Sequence, residues 1–203
     1  MNNFTTKKIA GIAIFSALSF VFYMFLKFPI PSIFPAWLDM QFSDLPALIG
    51  GFAYGPLAGG IIIVIKCLLK MPFTSTFCVG EVADIIVGLA FVLPSTFIYK
   101  YHKTKKGAVL GMLVGVLSAI LISILANWLV LIPFYATLYG NGDYSQGINI
   151  LVGGVQVLYK GVNAQNFYNY YIFVGVLPFN ALRVIVCAVL TYFVYKPISR
   201  ILH

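Results

Sequence analysis

Apolar residues run along this chain in six stretches, at about 9–26, 45–53, 57–69, 80–99, 108–137 and 172–195, separated by polar or proline- and glycine-bearing segments. A helix rises 1.5 Å per residue, so about 20 apolar residues cross a hydrocarbon core of about 30 Å. Most of the stretches approach or exceed that length, but the second and third are too short alone. Gly50, Gly51, Gly55 and Pro56 break the run from Asp44 to Leu69 into two short helices. Such a break at membrane depth is tolerated where the freed backbone groups are buried in protein or line a polar cavity. The pattern predicts an all-α membrane protein of six transmembrane helices, one integral-membrane domain over residues 1–203. The second and third helices are short and separated by a Gly/Pro turn.

Charge sets the orientation. Lys7 and Lys8 precede the first span, Lys100, His102, Lys103, Lys105 and Lys106 follow the fourth, and Lys196 and Arg200 follow the sixth. Cytoplasmic loops carry the excess of Lys and Arg, and only the broken reading of 44–69 puts all these clusters on one side, with both termini cytoplasmic. A content of 61% hydrophobic and 9% charged residues excludes an ordinary soluble surface; the mean hydropathy is +0.98. The net charge of +8 then reflects anchoring at the lipid bilayer of a cell membrane. No basic stripe is interleaved with aromatics, so no nucleic-acid partner is expected. The first apolar run exceeds a signal-peptide core and five more follow it, so it is expected to remain uncleaved.

Several chemistries have no residues to support them. Cys67, Cys78 and Cys187 are isolated and read as buried spacers, and His102 and His203 form no metal or catalytic constellation. The glycines at 50, 51, 55, 59 and 60 lack the lysine and hydroxyl of a phosphate-binding loop. Uphill transport would therefore draw its ATP hydrolysis from a partner.

The sharp signal is polar side chains inside the spans. Asn127 in the fifth stretch and Asn180 and Arg183 in the sixth lie at matching depth, and residues three apart share a helix face. A buried arginine there costs several kcal/mol unless it faces a partner or a cavity. Pro178 loosens the backbone just before them. Lys66, Glu81 and Asp84 complete a group confined to the outer half, which describes a cavity opening outward and ending blind. A carboxamide both donates and accepts, matching a ring edge that alternates carbonyl, N–H and carbonyl. Flavin, uracil-like and pteridine rings all offer that edge. Thr74, Ser75 and Thr76 with Glu81 suit a polyol. The competing reading pairs Arg183 with Glu81 or Asp84, gives Lys66 the remaining carboxylate and makes the asparagines helix-to-helix glue. The long outer segment Leu138–Tyr171 is expected to hold a short amphipathic helix or hairpin at Ile148–Tyr159. Lys160 and Tyr168 are lid candidates there, unless its tyrosines form an interfacial belt.

Together, Leu38-Asp39, the run Phe42-Ser43-Asp44-Leu45-Pro46-Ala47-Leu48-Ile49, Gly55-Pro56, Thr74-Ser75-Thr76, Val79-Gly80-Glu81, Asn127-Trp128 and Leu177-Pro178-Phe179-Asn180 carry a family resemblance. The chain resembles the riboflavin-specific substrate-binding (S) components of energy-coupling-factor (ECF) transporters. The early elements are shared among S components for several vitamins, and the later ones point to riboflavin. The resemblance implies a non-enzymatic, cofactor-free subunit that binds riboflavin from outside. It delivers the vitamin inward when docked on a transmembrane coupling protein and two ATP-binding subunits. It implies that Ala13 and Ala17, on a small-residue stripe of the first helix, meet the coupling protein, with packing inside the bundle as the alternative. It also implies that residues 27–42 cover the vitamin. Two positions depart from the pattern: Arg183 stands where lysine is expected and Asp84 where asparagine is common. The alternatives are an S component for folate, thiamine or pantothenate, an ion-coupled carrier, or a membrane enzyme using Glu81 and Asp84 as acid and base.

Overall fold

The structure, a computed structural model, describes residues 5–35 and 37–202, with side chains through Val194. The side chains of Lys196 and Arg200, used above for orientation, lie outside the described residues, as does His203. The chain is a helical bundle. Helix α1 spans Thr6–Phe25, α2 Asp44–Tyr54, α3 Pro56–Lys70, α4 Val79–Tyr101 and α5 Lys105–Ala126. The short α6 (Ile132–Tyr139), α7 (Tyr144–Gln156) and α8 (Phe167–Tyr170) precede α9 (Leu177–Leu202).

Among the described residues, five helical stretches are long and apolar enough to cross a membrane: Thr6–Phe25, Pro56–Phe73, Val79–Tyr101, Lys105–Tyr139 and Phe167–Val194. Helix α2, with 11 residues, is too short to join them and is buried on nearly every side. The expected break is present: Gly55 ends α2 at φ +99°, a conformation that suits glycine, and Pro56 opens α3, where a missing N–H is harmless.

Helices α4 and α5 pack most intimately. Gly107, Gly111 and Gly115 recur every fourth residue along α5, and a Cβ on Gly111 or Gly115 would strike the carbonyl of Ser95 or Phe91 on α4. Helices in lipid lack a hydrophobic force between them, so close approach of small residues supplies the contact. Ser95 satisfies its own hydroxyl on the Phe91 carbonyl at 2.6 Å. The principal apolar core centres on α2, where Ala47, Leu48, Ile49 and Phe52 meet Ile62 and Ile63 of α3 and Phe91 and Val92 of α4.

Two features refine the all-α expectation. Strands β1 (Lys27–Pro29) and β2 (Asp39–Gln41) form a small antiparallel hairpin, with Lys27 opposite Gln41 and Pro29 opposite Asp39. The long segment Leu138–Tyr171 holds α7 over Tyr144–Gln156, opened by Asp143, whose carboxylate accepts the Ser145 and Gln146 amides. A second apolar cluster, including Ile132, Val152, Phe167 and Ile172, fixes α7 onto the ends of the long spans. Cys67 and Cys187 are buried as expected; Cys78 is only partly buried because it sits in a tight turn at φ 65°, just before α4.

Candidate functional site

A cavity of about 530 Å³ opens at the hairpin end of the bundle, between β2, the turn after α3, α4, the α5–α6 junction, α7 and α9. Small-molecule sites occupy about 300–1,000 Å³. Seven of the nine proposed ligand residues line it: Ser75, Thr76, Glu81, Asp84, Asn127, Asn180 and Arg183. Lys66 and Thr74 stand behind it.

The two asparagines owe their positions to prolines. Pro133 and Pro178 lack an N–H and crowd the carbonyl four residues back. The chain responds with wide π-helical turns at Asn127–Leu131 and Tyr171–Val176, a distortion frequent at functional sites. Asn127 Nδ2 donates to the Ser123 carbonyl at 2.8 Å, and Asn180 Nδ2 to the Val176 carbonyl at 3.0 Å. A carbonyl only accepts, so each carboxamide is oriented by its own helix. The oxygen and the second N–H of each remain for an occupant of the cavity.

Beneath them, six buried side chains close a ring. Lys66 Nζ donates to Ser43 Oγ at 2.6 Å and to Asp44 Oδ1. Ser43 Oγ donates to Gln41 Oε1 at 3.0 Å, and Gln41 Nε2 donates to Asp84 Oδ2. Arg183 returns the circuit, with Nη1 on Asp84 Oδ1 at 2.7 Å and Nη2 on Asp44 Oδ2 at 3.2 Å. Two cations and two carboxylates cancel, and the hydrogen bonds offset the desolvation that makes isolated buried charges so costly. The Tyr23 ring lies 5.4 Å from Lys66 Nζ and 5.7 Å from Lys70 Nζ, within cation–π range.

These contacts correct the expected pairings. Asp84 does hold Arg183, but the partner of Lys66 is Asp44, whereas Glu81 faces Lys70 at 3.7 Å. Asp44 belongs to the Ser-Asp-Leu-Pro motif, yet its place 139 residues from Arg183 could not be read from spacing. Gln41 and Lys70 had no signal beyond their polarity beside apolar runs. The alternative of Glu81 and Asp84 as acid and base meets two carboxylates already engaged, Asp84 in the ring and Glu81 with Thr74 Oγ1 at 2.8 Å and Thr76 Oγ1 at 3.2 Å.

Thr74 also accepts the amides of Thr76 and Cys78, so it shapes the turn after α3, in which Phe77 and Cys78 both take positive φ. Tyr135 Oη donates to the Thr76 carbonyl at 3.3 Å and pins that turn to α6. Aromatic walls come from Tyr23, Trp37, Tyr135, Tyr171 and Phe179. Trp37 Nε1 donates to Tyr171 Oη at 3.0 Å, and Phe34 packs edge-on against Phe179. Tyr159 Oη donates to the Ile33 carbonyl at 3.1 Å; burial raises its pKa above the ordinary tyrosine value, so it stays a donor. Segment 27–41 is thus tied across the cavity mouth. Lys160 and Tyr168 do not line the cavity; Tyr168 instead hydrogen-bonds Tyr144. On α1, Ala13 and Ala17 are exposed, while Gly11 and Ser16 are buried, so packing within the bundle uses the other face.

Residues 7–195 match the family described as ECF transporter, substrate-specific component. The riboflavin transporter RibU of Staphylococcus aureus (strain TCH60) is 28% identical over 202 residues, covering 100% of this chain and 95% of the relative. The riboflavin transporter FmnP of Bacillus subtilis (strain 168) is 34% identical over 132 residues, 64% of this chain and 68% of the relative. A solved S component of a bacterial ECF transporter superposes with a TM-score of 0.70 at 29% identity, covering 97% of both chains. With a matching helical bundle, a cavity bearing polar side chains among apolar walls at one end and similarity along almost the whole sequence, this chain belongs to the substrate-specific components of ECF transporters.

Proposed function

We propose that this protein is the riboflavin-binding subunit of an ECF vitamin importer. It captures riboflavin in an outward-facing cavity and passes it inward when docked on a coupling module of one transmembrane protein and two ATP-binding subunits. The observation that carries this reading is the pair Asn127 and Asn180. They stand on the two spans that frame one cavity, each held by its own helix so that a carboxamide oxygen and an N–H remain for a ligand. A flavin edge of carbonyl, N–H and carbonyl meets that set, and the apolar and aromatic walls cover the ring faces. Ser75, Thr76 and Glu81 take the ribityl hydroxyls. The names of the relatives in Staphylococcus aureus and Bacillus subtilis support the same ligand.

In this reading the protein is no enzyme. It resides in the cell membrane as one domain of six spans, α2 included, with both termini cytoplasmic. Ala13 and Ala17 present the α1 face on which the coupling protein docks. Arg183, Asp84 and Lys66 act mainly as the charged floor, with Lys66 and Thr74 supporting residues that touch the ligand.

The test is an absorbance and fluorescence spectrum of the detergent-purified protein, followed by titration of riboflavin. A flavin spectrum or stoichiometric quenching of added riboflavin is expected. A colourless protein that leaves riboflavin fluorescence unchanged moves the ligand to another vitamin and retains the family.

A further inference from the structure

Gln41 is the last residue of β2, and its side chain is buried beneath the cavity, 4% exposed. Its amide has two demanding neighbours. Nε2 donates to Asp84 Oδ2, and Oε1 accepts from Ser43 Oγ at 3.0 Å. Only a group that donates at one end and accepts at the other completes both links. The main-chain carbonyl of Gln41 accepts from Cys187 Sγ of α9 at 3.9 Å. The Lys27–Asp39 pair, at 2.9 Å and about one-third exposed on each side, joins the two strands of the hairpin to each other and not to the helices, and exposed pairs contribute little. The residues between the strands reach the rest of the bundle through Trp37–Tyr171, Phe34–Phe179 and Ile33–Tyr159, and β2 itself is joined to the buried ring by the Gln41 amide.

We propose that Gln41 is a positioning residue that joins the hairpin over the cavity to the charged floor, so that retention of the ligand depends on its amide. When Gln41 is seated, Asp84 is held by the hairpin together with Arg183 and the Tyr23 hydroxyl. Movement of β2 away from the mouth breaks the Gln41–Asp84 and Gln41–Ser43 links together. It takes one donor from the buried Asp84, leaving Arg183 and the Tyr23 hydroxyl, and a bond lost to a charged acceptor costs more than an ordinary hydrogen bond. The closed hairpin is favoured by that cost, and a bound ligand leaves only when it is met. This inference rests on riboflavin as the ligand for its rate measurement, but not for its structural one.

The test uses the full chain in detergent, with labelled riboflavin chased by excess unlabelled vitamin. Gln41→Met keeps the length and removes both links. Association is expected to stay within about twofold, while dissociation accelerates about tenfold, the loss expected for one hydrogen bond to a charged group. Gln41→Glu alone sets a third carboxylate against Asp84 and is expected to release the vitamin at least as fast. Gln41→Glu combined with Asp84→Asn reverses donor and acceptor at this one link while conserving charge, and is expected to return dissociation to within about threefold of wild type. A folded Gln41→Met protein that releases riboflavin at the wild-type rate overturns the proposal, as does a combined variant no slower than Gln41→Glu alone. If Gln41→Met does not fold, the combined variant decides. A wild-type chain that binds no riboflavin removes only the ligand reading. The link is then read from amide exchange over residues 27–41, expected to be faster in Gln41→Met and restored in the combined variant, and equal exchange in all three overturns it.

Discussion

Arg183 Nη1 lies 2.7 Å from Asp84 Oδ1, joining α9 to α4 at the floor of the cavity. The same guanidinium reaches Asp44 of α2 through Nη2 at 3.2 Å. One cation therefore serves two carboxylates, and the two departures from the family pattern, Arg183 and Asp84, are partners. A lysine ends in a single nitrogen and lacks the fork that spans both acids.

Arg183→Met is expected to destabilise the protein by about 3–5 kcal/mol, the usual loss when one member of a buried pair is removed. Arg183→Lys with Asp84→Asn together is expected to recover most of the stability lost by Arg183→Lys alone, because one carboxylate no longer needs a cation. Thermal unfolding in detergent measures both, and additive losses would refute the coupling.

Asn127→Ala and Asn180→Ala are each expected to weaken riboflavin binding by about 1–3 kcal/mol while the protein stays folded. The Nδ2 bonds to Ser123 and Val176 lie within single helices, so their loss does not unseat the bundle. Equilibrium titration checks this, and unchanged affinity in both variants would remove these residues from the site.

Gly115→Leu is expected to abolish folding or cost about 3 kcal/mol or more, at or beyond the upper end of overpacking losses, because its first carbon meets the Phe91 carbonyl, a backbone atom that cannot step aside. Gly153→Ala, on α7 with nothing within 4 Å of the new carbon, is expected to be neutral or stabilising by about 0.4–1 kcal/mol. Yield and unfolding temperature of the two variants separate a packing glycine from a dispensable one.

Ala13→Trp and Ala17→Trp are expected to leave riboflavin affinity within about twofold but to stop uptake by cells, since both residues are exposed and away from the cavity. Binding to the purified protein and accumulation of labelled vitamin in cells are measured side by side. Normal uptake in both variants would move the docking face off this side of α1.

Legibility followed the range of the interaction. Gly55 and Pro56 act on their own backbone, so the break between α2 and α3 was readable where it stands. The depth of Asn127 and Asn180 follows from counting along two apolar runs, and both reach the cavity. The hairpin was not readable: three-residue strands among three prolines leave no alternation to detect, and they form because Gln41 and the aromatic contacts of Phe34 and Trp37 hold the segment down. Cys78 was misread because its turn is imposed by Thr74 and Thr76.

The amino-acid sequence by itself determined the membrane class, the helical segments, the glycine–proline break and the family, because hydropathy, helix rise and local backbone preference act between near neighbours. Tertiary structure alone decided which acid faces which base. Asp44 meets Lys66 22 residues on and Arg183 139 residues on, and Gln41 meets Asp84 43 residues on. Charges in a low-dielectric interior must find partners wherever the packed helices bring them, and that choice is made by how α2, α3, α4 and α9 fit together rather than by position along the chain.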